Sequence, residues 1–271
     1  MSPRAALNRG PGDEVTAVTG VPATTAAAIR SGTPDEERIR RALLRRVRAA
    51  TAQDRRLPGE FDLAAELGCS RVQVRQALGD LDRSGLIRRR QGAATVVDPV
   101  GLRLNVRLEE QFDYADLLAR LGYEVGVEIL ESCRITVLTS HVAGLLDVPA
   151  RTPAVRVRRR WTADGAPAMV AEDILLLPPG EDQVPEEPLF RAAVTLWGEP
   201  VVWEITTPSA AAADGDLATL LGLPEQSPLM VFETVGMLAG GRRIFYALEH
   251  HKSDLVQYSV VRTVRPPWHT T

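Results

Sequence analysis

Leu67-Gly68-Cys69-Ser70-Arg71-Val72-Gln73-Val74-Arg75-Gln76-Ala77-Leu78-Gly79-Asp80-Leu81-Asp82-Arg83-Ser84-Gly85-Leu86 is the stretch that decides the fold of this 271-residue chain. Ser70 and Gln73, three residues apart, spell a capping box, in which hydroxyl and amide reciprocally satisfy backbone groups left orphaned at a helix start. The helix is therefore expected to begin at Arg71. Val74, Ala77, Leu78 and Leu81 recur at i, i+3, i+4 and i+7 as one apolar stripe, while Arg71, Gln73, Arg75 and Gln76 lie off it. Gly85 stops the helix, because it tolerates the left-handed backbone that closes a helical turn.

Working outward, Leu63, Ala64 and Leu67 form a short helix ended by Gly68, and Ile39, Leu43 and Val47 line a longer one begun by Thr33, Pro34 and Glu36. After Gly85, the runs Leu86–Arg90 and Thr95–Asp98, joined by Gln91-Gly92-Ala93-Ala94, read as a β-hairpin. Three helices and a hairpin make a winged helix-turn-helix. The bland alternative is a three-helix packing unit whose arginines only confer solubility. Charge argues against it: residues 34–98 hold 14 arginines against 10 acidic residues, a net of +4 in a chain whose total is −3. Arginine suits bidentate contact with guanine, and the first turn of a recognition helix enters the major groove. The candidate DNA contacts are Ser70, Arg71, Gln73, Arg75 and Gln76 on the helix, and Arg88, Arg89, Arg90, Gln91, Gly92 and Thr95 on the wing. Phosphate would meet the basic segment.

At 45% hydrophobic residues the chain can bury a full core, and its length fits two domains. Residues 1–32, rich in Ala, Thr, Gly and Pro without a sustained period, have the composition of a disordered segment. The expected order is then a winged helix over 33–98, a linker over 99–110 and a second domain over 111–266. No apolar run approaches the roughly 20 residues of a membrane span, and no secretory signal is legible, so a cytoplasmic address is expected. Cys69 and Cys133 fall in different domains without a neighbouring thiol or histidine at ligand spacing. Neither a disulfide, a metal site nor a cofactor is expected.

The second domain repeats itself. A shift of 75 residues lays Leu145-Leu146-Asp147-Val148-Pro149, closed by Pro153, on Leu220-Leu221-Gly222-Leu223-Pro224, closed by Pro228. Each copy follows a short helix and precedes two strands around a glycine turn, Asp164-Gly165 and Gly240-Gly241. Two such units sharing one sheet give an antiparallel α+β domain. In the strand Val155–Trp161, alternation places Arg156, Arg158 and Arg160 on a solvated face and Arg159 with Trp161 on the apolar face. A buried arginine needs a carboxylate, a ligand or the edge of a cleft, and Glu172 on the hairpin partner, read onto the same face, is the candidate for the first of these. The second unit adds Phe245, Glu249 and His251 on one face. These six residues, Arg159, Trp161, Glu172, Phe245, Glu249 and His251, are the candidate effector site, with a purely structural buried network as the alternative.

With both domains read, the chain resembles the GntR family of bacterial transcription regulators, in its HutC-like branch. The residues that carry the likeness are Leu57-Pro58-Gly59-Glu60, Leu63-Ala64, Leu67-Gly68, Ser70-Arg71, Val74-Arg75, Ala77-Leu78, Gly85-Leu86-Ile87 and Gln91-Gly92. In the second domain they are the Leu-Pro turns, Gly165 and Pro167 followed by Glu172, and the stretch Tyr246–Asp254. The resemblance implies a winged helix-turn-helix joined to a UTRA ligand-sensing domain of chorismate lyase-like fold. It further implies a homodimeric repressor on a short two-fold operator of double-stranded DNA, modulated by a small-molecule effector. A plasmid-partition type protein without effector and a chorismate lyase-like enzyme are the competing functions; no nucleophile-base pair is legible for the latter, and no enzyme is expected.

The chain departs from that family where Phe61 stands in place of an arginine at the second helix start, and where Ala93 and Ala94 replace a basic residue and a glycine at the wing tip. Arg71, Arg75 and the run Arg88–Arg90 are therefore expected to carry more of the DNA contact than is typical of that family, and the wing tip less. In the sensing domain, Arg159-x-Trp161 stands where phosphosugar-binding relatives resemble Arg-x-Arg. Glu109, Glu110, Asp113 and Asp116 crowd a helix start that would otherwise hold phosphate. The effector is expected to be less charged or more aromatic than a sugar phosphate, an acidic group meeting Arg159 and an apolar part stacking on Trp161 and Phe245.

Overall fold

A computed structural model describes residues 33–260, apart from 53, 91, 105, 109–112, 183 and 186. The reading of 1–32 as disordered, and the contacts assigned to Gln91, Glu109 and Glu110, lie outside the described residues. The described chain divides into two compact units, one holding 126–162 and 166–253, the other the residues up to Val125 with 163–165 and those from Asp254.

In the second of these, α1 (Pro34–Ala52), α2 (Glu60–Leu67) and α3 (Arg71–Arg83) precede a hairpin of β1 (Ile87–Arg88) and β2 (Val96–Val97). The apolar stripes predict the core: Ile39, Leu43 and Val47 of α1 meet Leu63 of α2 and Val74, Leu78 and Leu81 of α3, all essentially buried. Gly68 takes the left-handed conformation, φ 60°, that ends α2 and turns the chain into α3. The wing strands are shorter than the apolar runs predict, pairing only Ile87 with Val97 and Arg88 with Val96. Arg56 bridges Val96, and the Leu57 amide donates to the Thr95 carbonyl, so the segment before α2 braces the wing. The expected linker begins as a helix, α4 (Pro99–Leu104), whose first amides donate to Asp98, and α5 (Tyr114–Arg120) follows, capped by Asp113.

The other unit is one six-stranded sheet made of β3 (Val125–Ile135), β4 (Ala154–Ala163), β5 (Ala166–Leu176), β6 (Trp203–Ala212), β7 (Pro228–Met237) and β8 (Arg243–Lys252), with helices α6 (Ser140–Leu146), α7 (Leu189–Trp197) and α8 (Gly215–Leu221). The strand order β3-β4-β5-β8-β7-β6 is the sequence repeat made visible, two strand-helix-hairpin units meeting along β5 and β8. The repeated turns match in detail. Asp147 and Gly222 both cap their helices at φ 59°, and the Thr152 and Ser227 hydroxyls donate to the Pro149 and Pro224 carbonyls at 2.8 and 2.7 Å. Alternation then sorts the core into two layers. Val142 and Leu146 of α6 pack on Ile174, Val235 and Tyr246, and Ala218 and Leu221 of α8 on Val170 and Leu229. On the opposite face α7 sets Ala192 and Ala193 against Leu175, Phe245 and Ala247.

Candidate nucleic-acid interface and effector face

The capping box forms as read. Ser70 Oγ accepts from the Gln73 amide at 3.2 Å, and Gln73 Oε1 accepts from the Ser70 amide at 3.0 Å. These two side chains therefore hold the start of α3. Arg71 and Gln76 are exposed, as is Arg75, whose side chain keeps 60% of its accessible surface. Sequence reasoning missed Glu60, at the first position of α2. Its carboxylate accepts from Arg75 Nε and Nη2 at 3.1 and 2.9 Å, and from Arg89 Nη2 at 2.5 Å. The Arg75 hydrogen bonds, then the charges of Arg75, Arg89 and Arg71, hold the Glu60 carboxyl below its ordinary value. One acid thus clasps a recognition-helix arginine to a wing arginine, and fixes where both guanidinium groups start from.

On the wing, Arg88 Nε donates to Asp98 Oδ2 at 2.7 Å, and the same aspartate receives the first amides of α4. Arg90 is exposed. Gly92 supplies the φ of 76° that the wing turn requires, where a side chain would be strained. Thr95 contributes its carbonyl to the brace with Leu57.

In the sheet, Arg159 is buried as expected, but its partner is Asp173: Nη1 donates to Oδ2 at 2.6 Å, and Nη2 donates to the Glu187 carbonyl at 3.1 Å. Glu172 is the correction. It lies on the opposite face, where the charges of Arg156 and Arg158 act on it. A two-residue turn at Asp164-Gly165 would register Arg159 with Val170 and so with the face of Glu172. In the structure Val155, Val157 and Arg159 share a recess with Asp173 and Leu175, and a one-residue difference in register moves a strand's side chains to the other face. The face of Arg156, Arg158 and Arg160 is half-buried rather than merely solvated, and these pair with Glu131, Asp216 and Glu128.

The remaining effector candidates share the face of Asp173. The register places Asp173, Ala247, Thr234 and Thr206 in one row across four strands, with Leu175, Phe245, Gly236 and Glu204 in the next. Phe245 lies across Gly236 so closely that a Cβ there would stand 1.8 Å from its ring, and it meets Phe190 of α7 edge-on at 6.1 Å. Glu249 and His251 are buried, 3.5 Å apart, and Trp161 is buried two residues along from Arg159. The recess beside Arg159 is lined by Val157, Leu175, Leu189 and Ala192, with a cavity volume of ≈ 10 Å³, room for about one water.

Burial governs the titration of this face. It pushes the Asp173 carboxyl up to about 6 against the pull of Arg159, and Glu204 up to about 8, where Glu249 and Asp173 add repulsion. His250, on the other face, is pushed down to about 4 by burial, with the charges of His251 and Arg158 adding. An acid whose pKa is raised by folding contributes stability below its unfolded value and loses it as pH rises through the folded one; a base whose pKa is lowered loses stability as pH falls. Most of the change from Asp173 and His250 falls below pH 6.5 and the small remainders above it oppose each other, leaving Glu204 dominant of the three between pH 6.5 and 8. The melting temperature of this unit is expected to fall across that interval, by the equivalent of about 1–2 kcal/mol, and Glu204→Gln is expected to flatten the dependence in scanning calorimetry.

Comparison with known proteins agrees with both units. Residues 36–97 match the bacterial regulatory proteins of the gntR family, and residues 120–257 match the UTRA domain. An HTH-type transcriptional regulator of Mycobacterium tuberculosis is 31% identical over 224 residues, 76% of this chain and 77% of that protein. The histidine utilization repressor of Pseudomonas putida is 37% identical over 90 residues, 33% of each chain. The crystal structure of PhnF from Mycobacterium smegmatis superposes with a TM-score of 0.53 at 24% identity, covering 83% of this chain and 99% of that one, a likeness of fold. The chain belongs to the GntR family of transcriptional regulators, in the group that carries a UTRA effector-binding domain. Its relatives are regulators rather than enzymes. Among the described residues no helix is long and apolar enough to cross a membrane.

Proposed function

We propose that this regulator is a cytoplasmic repressor that binds a two-fold DNA operator as a homodimer through α3, and that a small molecule admitted to the sheet face of Arg159, Trp161, Phe245, Glu249 and His251 alters that binding. The observation that carries the DNA half is the capped, exposed first turn of α3, with Arg71 and Arg75 displayed on a fully packed three-helix core. The effector half is supported by buried polar groups on an otherwise apolar face, a composition suited to an oriented small ligand. Because Arg159 is already bound to Asp173, an anionic ligand must displace a buried carboxylate to reach it. That favours an effector of low negative charge, recognised by the aromatic and hydroxyl groups of this face.

The dimer reading rests on β6. It is an edge of the sheet, it carries Glu204 as its single charged residue, and Trp203 and Ile205 are 67% and 60% exposed. Edges of stable monomers are defended by charge, proline or cover; among the described residues this one has Glu204 and Pro208 but no covering element, and a second copy related by the operator's two-fold axis would supply the cover. Ile205→Glu with Trp203→Glu is expected to halve the sedimentation mass and to lower operator affinity by at least tenfold with the fold intact. A double variant that stays dimeric at micromolar concentration would place the interface elsewhere.

A further inference from the structure

In the winged-helix unit the most exposed large apolar side chains among the described residues are Phe61, at 70%, and Val72, at 72%. Each is the second residue of its helix, Phe61 in α2 and Val72 in α3. One exposed apolar residue is ordinary. Two at the same place on the paired helices of a helix-turn-helix form a pattern, because the recognition helix presents its first turn to base edges and the Glu60–Arg75 hydrogen bond sets the start of α2 beside that helix. They also belong to one constellation. Glu60, the chain neighbour of Phe61, binds Arg75, which lies three residues after Val72 and so on the same side of α3. Both side chains lack hydrogen-bonding atoms, and the apolar feature that a base pair offers in the major groove is the thymine 5-methyl group.

We infer that Val72 and Phe61 are specificity-determining residues that contact thymine methyl groups, so that each operator half-site sets thymines beside the bases met by Arg71 and Arg75. The inference rests on the DNA-binding reading of α3. Arginine supplies the polar half of the readout, and the two apolar side chains supply the half that excludes cytosine, which lacks the methyl group and presents a donor in place of thymine O4.

The test replaces each thymidine of a recovered operator, one at a time, by deoxyuridine, which removes the methyl group and leaves base pairing unchanged. Wild-type protein is expected to lose about fourfold in affinity at two positions per half-site, the worth of one buried methyl group each. Val72→Ala is expected to abolish the sensitivity at one of those positions and Phe61→Ala at the other, with unchanged melting temperatures because both side chains are exposed. An operator bound equally well with and without every methyl group would overturn the inference, as would Val72→Ala and Phe61→Ala variants that retain the wild-type pattern. Failure of wild-type protein to select any sequence would instead overturn the DNA-binding reading itself.

Discussion

Arg75→Ala is expected to abolish specific operator binding while leaving the protein folded. A bidentate arginine contact with guanine discriminates by about 1–3 kcal/mol, and a two-fold operator uses it twice, so the loss is about 30-fold to 10⁴-fold in affinity. The fold is spared because the Arg75 side chain is exposed and stands outside the core of Val74, Leu78 and Leu81. What changes locally is the clasp: Glu60 loses its three hydrogen bonds from Arg75 and keeps Arg89. Fluorescence anisotropy on operator and on scrambled DNA at matched salt separates the effects, since loss of a base contact lowers the first far more than the second. A variant that binds operator as tightly as wild type would remove Arg75 from the readout.

Arg159→Ala is expected to cost about 3–5 kcal/mol at neutral pH, the price of leaving a buried carboxylate without its partner. Both side chains of the Arg159–Asp173 pair are 7% exposed, so the carboxylate is left shielded from bulk water once the guanidinium is gone. Acidification should relieve the loss, because burial already raises Asp173 to about 6 and removal of the cation raises it further. Arg159→Met with Asp173→Leu should recover most of the stability, as apolar replacement of an entire buried pair is often neutral. Thermal unfolding at pH 5 and pH 8 checks all three statements. A single variant that unfolds like wild type at pH 8 would show that the pair does not hold this face together, and would return Arg159 to the role of a ligand-binding group.

The winged helix was legible because each of its signals is local. A capping box, an apolar stripe and a helix-ending glycine fall within 20 residues, and the core that results is the one the stripes predict. The duplicated half-domain was legible for a different reason. Its turns fix the same left-handed backbone position with Asp147 in one copy and Gly222 in the other, so the pattern survives without identical residues. Side-chain partners were not legible. Glu60 meets Arg75 across 15 positions and Arg89 across 29, and no periodicity records such a pairing. Alternation alone puts Glu172 on the face of Arg159, because it reads a strand's period but not its register with the next strand. Glu204 and the open flank of β6 were invisible for a related reason: which strand lies at the edge of a sheet follows from the strand order, and the repeat alone does not state it.

The measurement that tests the central claim most directly is recovery of genomic DNA fragments bound by the purified 271-residue chain, at a salt concentration high enough to suppress phosphate-only binding. Enrichment of one short palindromic sequence, lost in Arg75→Ala, is the predicted result. Fragments recovered without a common sequence, or the same palindrome recovered by the Arg75→Ala variant, would contradict recognition through α3.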